Sequence, residues 1–339
     1  MITISLCMIV RNEENVLERC LNSLSGVVDE IIIVDTGSTD STKTIARRYT
    51  KHVYDFVWQD DFAAARNYSF SKATKEYIYV ADADEVIDGE NQKRFLQLKQ
   101  TLLKEIEIVQ MLYCNQLAFN TTYNFDEEYR PKLFRRIREF VWENCIHENV
   151  RLEPLIYDSE IRIEHRPTSN HGKRDFYIFN QMTDRGEYLS KKLHTMYARE
   201  LFIAGEDSDF YQAQKYFMEA ANDTRRSLEE VKEALCVLVK VARLKDDSKQ
   251  LLKYAAKELA SEPSSELCFE LGEYYFLQGD FHEAIIWFYN AAFETTSLLN
   301  IRYSKELPLY RLHDCYQRLG NEEQASYYEE LARNATTEG

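Results

Sequence analysis

Two aspartates, Asp82 and Asp84, stand two residues apart directly after an apolar run, Tyr77–Ala81. If this run is a strand, both carboxylates lie at its carboxyl end and can face a crevice there. One could bind a divalent cation while the other accepts hydrogen bonds from a hydroxyl group or from the waters around the ion. Asp207 and Asp209 have the same spacing but lie in a helical pattern, where we expect them to cap a turn. The first pair is therefore the candidate for chemistry.

Polar residues also follow the other apolar runs of the first half. Asp35 ends the second run and could accept a hydrogen bond from a nucleobase N–H or a ribose hydroxyl, or it could cap the next helix. Arg66 lies one turn inside a helical segment and could reach a diphosphate, or it could be an ordinary solvated charge. The residues that we expect to share this edge with Asp82 are Val10, Arg11, Asn12, Glu13, Asp35, Arg66 and Asn67.

These residues need elements that bring them together. Apolar runs alternate with helical patterns, and this βαβαβαβ order predicts a parallel sheet with helices on both faces. Ligands of such sheets bind where the strands end. Asn12 is predicted to cap the first helix, and Asp40 or Ser41 the second. The predicted strands are Ile2–Val10, Glu30–Val34, His52–Phe56 and Tyr77–Ala81, and the third helix is Phe62–Ala73.

The pattern changes further along the chain. Strands separated by longer polar connections are predicted at Ile106–Leu117, Pro131–Arg136, Phe140–Trp142 and Glu160–Glu164. From about residue 172 the pattern is helical. We therefore predict an α/β domain over residues 1–170, with a mixed and mostly parallel sheet, and an all-α domain over 171–336.

The helical part carries a repeat. Small and aromatic residues recur at the spacing of tetratricopeptide helix pairs, with Gly279 at one turn. Small residues let paired helices approach closely, and aromatic residues fill the space between pairs. An ordinary α-helical bundle is the alternative. The residues that carry the pattern are Ala213, Phe217, Ala220, Leu271, Gly272, Tyr275, Ala284, Phe288, Ala291, Leu312, Tyr316, Gly320, Ala325 and Ala332, with a poorer unit near 230–262.

Composition excludes several classes of protein. The chain has 42 Lys and Arg against 57 Asp and Glu, a net charge of −15, which argues against binding to nucleic acid or to an anionic membrane. No apolar run is long enough to cross a bilayer, so no integral membrane segment is expected. Seven scattered cysteines without a CxxC motif predict reduced thiols in a cytoplasmic protein.

Four blocks of the first 90 residues resemble family 2 glycosyltransferases of the GT-A fold. They are Ser5–Glu14 (SLCMIVRNEE), Val34–Asp40 (VDTGSTD), Asp61–Asn67 (DFAAARN) and Asp82–Glu85 (DADE). Pro131–Arg135, Ile146–Glu148 and Ile161–His165 resemble a branch of that family with tetratricopeptide-like repeats. That branch includes sublancin-type peptide S-glycosyltransferases and lipopolysaccharide-core glucosyltransferases.

The resemblance implies a role for each position of the edge. Arg11, Glu13 and Asp35 would hold the nucleobase and ribose of a UDP-sugar. Arg66, Asn67, Asp82 and Arg135 would line the nucleotide sugar, with Arg66 and Asp82 near the diphosphate and ribose. Asp84 would bind Mg²⁺ or Mn²⁺, and His165 could complete the metal site or be an ordinary strand-end histidine. Mn²⁺ would be accepted as readily as Mg²⁺ by such oxygen and imidazole ligands.

The catalytic base and the acceptor are less defined. The family typically inverts the anomeric centre, which requires a base, and many members carry it in a Glu-Asp pair that residues 91–165 lack. Glu148, beside His147, is the candidate, although it could instead pair with an arginine, and His147 could be structural. Asp61 is the second candidate. A thiol acceptor would need a weaker base.

Several acceptors and functions stay open. The acceptor would be a Cys, Ser or Thr side chain of a peptide, or a saccharide on a lipid or core oligosaccharide. The helical repeats could hold a peptide or pair two copies of the chain. Trp58 and Trp142 could stack on sugars or pack in the core. An inactive nucleotide-sugar-binding scaffold is an alternative. A nucleotidyltransferase would be expected to have a glycine-rich loop after its first strand, but the loop that begins here at Arg11 contains no glycine.

Overall fold

A computed structural model of the chain describes residues 1–114, 127–137, 142–143, 149–150, 153–166 and 172–337. Contacts between Cα atoms divide the described residues into two compact units, one up to residue 166 and one from residue 172 onward. The first unit is built on a sheet and the second is helical. The predicted fold class, an α/β domain with a mixed, mostly parallel sheet followed by an all-α domain, is confirmed.

The first four strands form the parallel part of the sheet, in the order β3-β2-β1-β4. All four therefore end at the same edge, as the alternation of strands and helices predicts. The strands are β1 (Ile4–Val10), β2 (Glu30–Asp35), β3 (Val53–Asp55) and β4 (Tyr77–Val80). The helices between them are α1 (Leu17–Ser23), α2 (Thr42–Tyr49) and α3 (Phe62–Lys72).

The rest of the sheet is mixed. Its elements are β5 (Glu85–Val86), α4 (Gly89–Thr101), β6 (Ile108–Cys114), β7 (Glu128–Arg135) and β10 (Ile156–His165). β7 lies antiparallel between β4 and β6, and β5 pairs with the end of β10, which gives the order β3-β2-β1-β4-β7-β6-β10-β5. A separate pair, β8 (Trp142–Glu143) and β9 (Asn149–Val150), is antiparallel.

Alternating side chains of β1 pack on opposite faces of the sheet, as the two-residue period of a strand requires. Leu6 and Met8 belong to a core with residues of α1, α2 and α4. Cys7 belongs to a smaller core that includes Ala73, at the end of α3. Both faces of the central strands are therefore covered, and this explains why the early strands are continuous apolar runs.

Two details differ from the prediction. β10 begins at Ile156 instead of residue 160, because the polar residues Asp158–Glu160 interrupt the apolar pattern although the backbone from Ile156 onward pairs with β6. Asn12 does not cap α1, which begins later, at Leu17. Its side chain instead accepts a hydrogen bond from the backbone N–H of Thr39.

The second unit contains nine α-helices over residues 172–337, with a π-helical turn at Asn290–Glu294 and a 3₁₀ turn at Ile301–Ser304. The α-helices are α5 (Gly172–Asp184), α6 (Lys191–Ala204), α7 (Asp207–Ala220), α8 (Leu228–Leu244), α9 (Ser248–Leu259), α10 (Ser265–Leu277), α11 (Phe281–Tyr289), α12 (Glu306–Arg318) and α13 (Glu322–Thr337).

Helices α10 and α11 form the best-matched repeat. Gly279 makes the turn between them with a φ of +76°, which a residue without Cβ adopts at little cost. The Phe288 ring lies against Gly272, where an added Cβ would be 2.6 Å from the ring. Ala284 and Ala291 are fully buried beside it. The predicted tetratricopeptide-like pairing of small and aromatic residues is confirmed here.

We expect Gly272→Ala to destabilise the helical unit by about 1–3 kcal/mol, because the new methyl group has no room beside Phe288. The measurement is urea unfolding followed by circular dichroism at 222 nm. Phe288→Leu supplies the control, since the smaller side chain leaves space for the methyl group. The double variant should lose less stability than the sum of the two single variants. Additive losses would mean that Gly272 and Phe288 do not contact each other.

Candidate active site

The candidate site lies at the carboxyl edge of the parallel strands. Val10 and Asp35 are paired as the last residues of β1 and β2, and Asp82 follows β4 on the other side of β1. The connection after β1 leads to β2, whereas the connection after β4 leads to the other half of the sheet, and open α/β sheets form a ligand crevice at such a point. Val10 is buried, and Arg11 after it is exposed.

Hydrogen bonds join the loop after β1 to the loop after β2. Asn12 Oδ1 accepts from Thr39 N at 2.8 Å, and Asn12 N donates to Ser38 Oγ at 2.9 Å. Glu13 N donates to Thr42 Oγ1 at 2.7 Å. Asn12 has a φ of +56°, a left-handed conformation that asparagine tolerates better than most residues. These bonds hold Arg11 and Glu13 close to Asp35.

Asp35 has one carboxylate oxygen in use and one without a partner. Oδ1 accepts hydrogen bonds from the backbone N–H groups of Gly37 and Ser38, at 3.0 and 2.9 Å. Lys43 Nζ lies 3.6 Å from the same oxygen. Oδ2 is buried and has no hydrogen-bond partner among the described residues. Because a buried polar atom without a partner is costly, Oδ2 is suited to accept a hydrogen bond from a ligand.

Asp82 lies beside Arg66, with 3.4 Å between Asp82 Oδ1 and an Arg66 guanidinium nitrogen. Burial raises the pKa of Asp82, but the positive charges of Lys132 and Arg66 outweigh that effect and the pKa lies below its usual value. Asp82 therefore stays ionised at neutral pH. Asn67, the next residue of α3, is exposed.

Asp84 and His165 meet although they are 81 residues apart, with 3.1 Å between Asp84 Oδ2 and His165 Nε2. Glu85 pairs with His165 in the β5–β10 ladder, which brings the end of β10 to Asp84. The Tyr113 ring packs on the imidazole, with 5.4 Å between ring centres. The ladder and this ring hold His165 in place.

A divalent cation fits this pair. Two ligands at about 2.1 Å from an octahedral Mg²⁺ lie about 3.0 Å apart when they are adjacent. The two side-chain atoms are 3.1 Å apart and share a hydrogen bond, and this separation is also compatible with that value. No group of three His, Cys, Asp or Glu side chains in the described part of the chain could hold a metal ion. Such an ion would therefore take its remaining ligands from water and from substrate oxygens, as Mg²⁺ commonly does.

Lys132 and Glu85 form a buried ion pair directly beside these acids, and sequence reasoning missed its role. Lys132 Nζ lies 2.5 Å from Glu85 Oε1, and both residues are at most 5% exposed. Burial raises the pKa of Glu85 to about 7, although Lys132 opposes the rise. The sequence did carry a signal, because Lys132 directly precedes the apolar residues Leu133 and Phe134 in a predicted strand. A lysine that is buried there needs a buried acid as its partner.

Among the other predicted site residues, Arg135 lies away from this edge. Arg135 pairs with Tyr77, the first residue of β4, at the opposite end of the strand. It lines an open cavity of about 260 Å³ there, and its role with the nucleotide sugar stays a prediction. Asp61 is the N-cap of α3 and accepts from Ala64 N at 3.0 Å. His147, Glu148 and the side chain of Trp142 lie outside the described residues.

Residues 5–150 match the family model described as glycosyl transferase family 2. The chain contains a family 2 glycosyltransferase domain. The matched residues include the ends of β1, β2 and β4 that form the edge described above, whereas β10 with His165 follows them in the chain. Among the described residues, no helix combines the length and the apolar character that crossing a membrane requires.

Curated relatives match parts of the chain. A TPR repeat-containing protein of Synechococcus elongatus is 49% identical over 85 residues, 25% of this chain and 21% of that protein. The glycosyltransferase SunS of Bacillus subtilis, described as SPbeta prophage-derived, is 30% identical over 171 residues, 47% of this chain and 36% of that protein. The chain thus spans about a third or less of the length of these two relatives. The predicted combination of a family 2 glycosyltransferase domain with tetratricopeptide-like helices is confirmed.

Among solved structures, glucosyl-3-phosphoglycerate synthase from Mycobacterium tuberculosis, in complex with Mg²⁺ and uridine diphosphate, is similar to this chain. The TM-score is 0.38 at 16% identity, over 56% of this chain and 81% of that one. A TM-score of 0.38 is too low for superposition to place a ligand in the glycosyltransferase domain.

We expect Lys132→Met to destabilise the glycosyltransferase domain by about 3–5 kcal/mol at pH 8, because it leaves the Glu85 carboxylate buried without its cation. The loss should be smaller at pH 6. Without Lys132, the pKa of Glu85 in the folded state rises further above its value in the unfolded state. At pH 6 the folded variant therefore keeps Glu85 protonated and neutral. As the pH rises, the unfolded state loses this proton more readily than the folded state, and the stability of the variant falls. Urea unfolding at the two pH values measures the difference.

The control for this prediction is the double variant Lys132→Met/Glu85→Met, which removes both charges. It should recover most of the stability lost at pH 8, since a buried ion pair can be replaced by apolar side chains. An equal loss at pH 6 and pH 8 in the single variant would contradict the assignment of Glu85 as its cause.

Proposed function

We propose that this chain is a metal-dependent, inverting glycosyltransferase that moves a hexose from a UDP-sugar to a side chain of a peptide. The observation that carries the proposal is the meeting of Asp84 and His165, 3.1 Å apart, next to the Arg66–Asp82 pair at the ligand edge of the family 2 domain. These four side chains combine an oxygen and an imidazole ligand for a cation with a guanidinium group for a diphosphate.

The nucleoside half of the donor is proposed to bind between the first two loops. Asp35 Oδ2 is a buried acceptor without a partner, which suits a nucleobase N–H or a ribose hydroxyl. Arg11 and Glu13 lie in the loop that is hydrogen-bonded to the loop after Asp35. Uridine is the nucleoside that the resemblance of the sequence motifs implies.

The leaving diphosphate requires positive charge. Asp84 and His165 are proposed to hold Mg²⁺ or Mn²⁺, which when bound supplies the charge that neutralises the departing diphosphate. Arg66 adds a fixed cation from α3. Asp82 orients Arg66 and remains ionised under the influence of Lys132. The chain's own residues thus position the diphosphate before the bond to the sugar breaks.

The acceptor side is proposed from the sequence and the relatives. Glu148, beside His147, remains the proposed base that takes the proton of the acceptor, with Asp61 as the second candidate. The similarity to the glycosyltransferase SunS of Bacillus subtilis supports transfer of a sugar. The helical repeats are proposed to hold an extended peptide or to pair two copies of the chain. A saccharide or lipid-linked acceptor is the alternative.

We expect the chain to release uridine diphosphate slowly from one of UDP-glucose, UDP-galactose or UDP-N-acetylglucosamine in the presence of Mn²⁺. Asp84→Asn should reduce this release by about a hundredfold or more, and chelation of the cation should do the same, because both remove the charge that stabilises the leaving group. Chromatography of the released nucleotide measures the rate.

Asp158→Asn is the matched control. It removes a carboxylate from the same domain at the other end of β10, seven residues before His165 and about 20 Å away along the strand. This variant should release the nucleotide at the normal rate. Release that survives both Asp84→Asn and chelation would contradict metal dependence. Binding of a donor without release or transfer to any acceptor would favour an inactive scaffold.

A further inference from the structure

An aromatic pair lies where the loop after β3 leads into α3. Trp58 and Phe62 pack edge to face, with 4.7 Å between ring centres and an angle of 67°. Both side chains are partly exposed, Phe62 at 37%, and Val57 beside them is 81% exposed. Apolar rings are usually buried, so a rigid and exposed pair next to a polar site is suited to bind a ligand with an apolar face.

The pair is held in a fixed geometry. Trp58 Nε1 donates to Asp60 Oδ1 at 2.7 Å, which ties the indole to the loop. Asp60 has a φ of +54°, a conformation that costs free energy for a residue with Cβ. Asp61 then caps α3 by accepting from Ala64 N. The indole is therefore positioned by its own hydrogen bond and by the start of the helix.

The position of the pair relative to the proposed donor site follows from the helix. Phe62 and Arg66 are four residues apart in α3 and therefore neighbours on one face, with about 5–6 Å between their Cβ atoms. Arg66 contacts Asp82 at 3.4 Å. The aromatic pair thus begins one helical turn from the guanidinium group that is proposed to bind the diphosphate.

We propose that the Trp58 indole, supported edge to face by the Phe62 ring, forms a stacking platform for the pyranose ring of the donor sugar. This inference rests on the proposed function. The sugar of a UDP-sugar is bonded directly to the diphosphate, so a hexose whose diphosphate contacts Arg66 reaches a surface one helical turn away. A pyranose ring presents C–H groups on one face and hydroxyl groups at its rim, which suits a flat aromatic surface beside charged residues.

The experiment compares two probes on the same variants. Isothermal titration in the presence of Mn²⁺ measures the Kd of uridine diphosphate and of the UDP-hexose that the wild-type chain binds best. Trp58→Leu should weaken the UDP-hexose about tenfold, as expected for loss of one stacking contact, and leave uridine diphosphate within about twofold. Trp58→Phe should recover part of the loss, because it restores an aromatic face.

Tyr157→Leu is the control. It removes another exposed aromatic side chain, 44% exposed, from β10 of the same domain, and should change neither Kd. Circular dichroism of each variant checks that the domain is folded. The steady-state KM for the UDP-hexose should rise in Trp58→Leu while the KM for the acceptor stays the same.

The outcomes separate this inference from the proposed function. If Trp58→Leu weakened the binding of uridine diphosphate and of the UDP-hexose equally, the platform would be overturned. Trp58 would then contact the nucleotide or stabilise the loop instead of contacting the sugar. A rise in the KM of the acceptor alone would also overturn it and assign the pair to the acceptor. An unchanged Kd for the UDP-hexose would overturn the platform and leave the proposed function intact. A wild-type chain that binds neither probe would overturn both.

Discussion

Three carboxylates within four residues, Asp82, Asp84 and Glu85, repel one another at the end of β4, in a chain whose net charge is already −15. Each of them lies against a different nitrogen-bearing side chain. Arg66 contacts Asp82, His165 contacts Asp84 and Lys132 contacts Glu85. Because carboxylates at such short spacing repel one another, these three contacts stabilise the folded acidic edge.

The mixed sheet supplies two of these three basic partners. Arg66 comes from α3 after a parallel strand, but Lys132 and His165 come from β7 and β10, which reach β4 and β5 through antiparallel pairings. Lys132 and Glu85 form a buried pair within the sheet. The side chains of Asp82 and Asp84 are partly exposed, at 49% and 14%, and a ligand can therefore reach them. The parallel half thus supplies the ligand edge, and the antiparallel half supplies two of its three basic partners.

Sequence reasoning located the parallel strands and most of the edge, because strand ends in a parallel sheet meet at one side and their polar residues follow apolar runs. The partners of Asp82 and Asp84, Arg66 and His165, were also found, through motifs. Lys132 was not, because a lysine in an apolar strand segment indicates a buried acid but does not show which acid lies beside it in the sheet. The position of Arg135 at the opposite end of β4 could not be foreseen for the same reason, because an antiparallel strand reverses which end of a motif lies near the site.

The most direct test of this acidic edge as a nucleotide-sugar site is a crystal structure of the chain with uridine diphosphate and Mn²⁺. The account predicts an anomalous manganese peak between Asp84, His165 and the diphosphate, with Asp35 Oδ2 accepting a hydrogen bond from the uridine. It also predicts that Lys132 and Glu85 remain paired below the ion. A manganese peak at another cluster, or a nucleotide bound away from the ends of β1, β2 and β4, would contradict it.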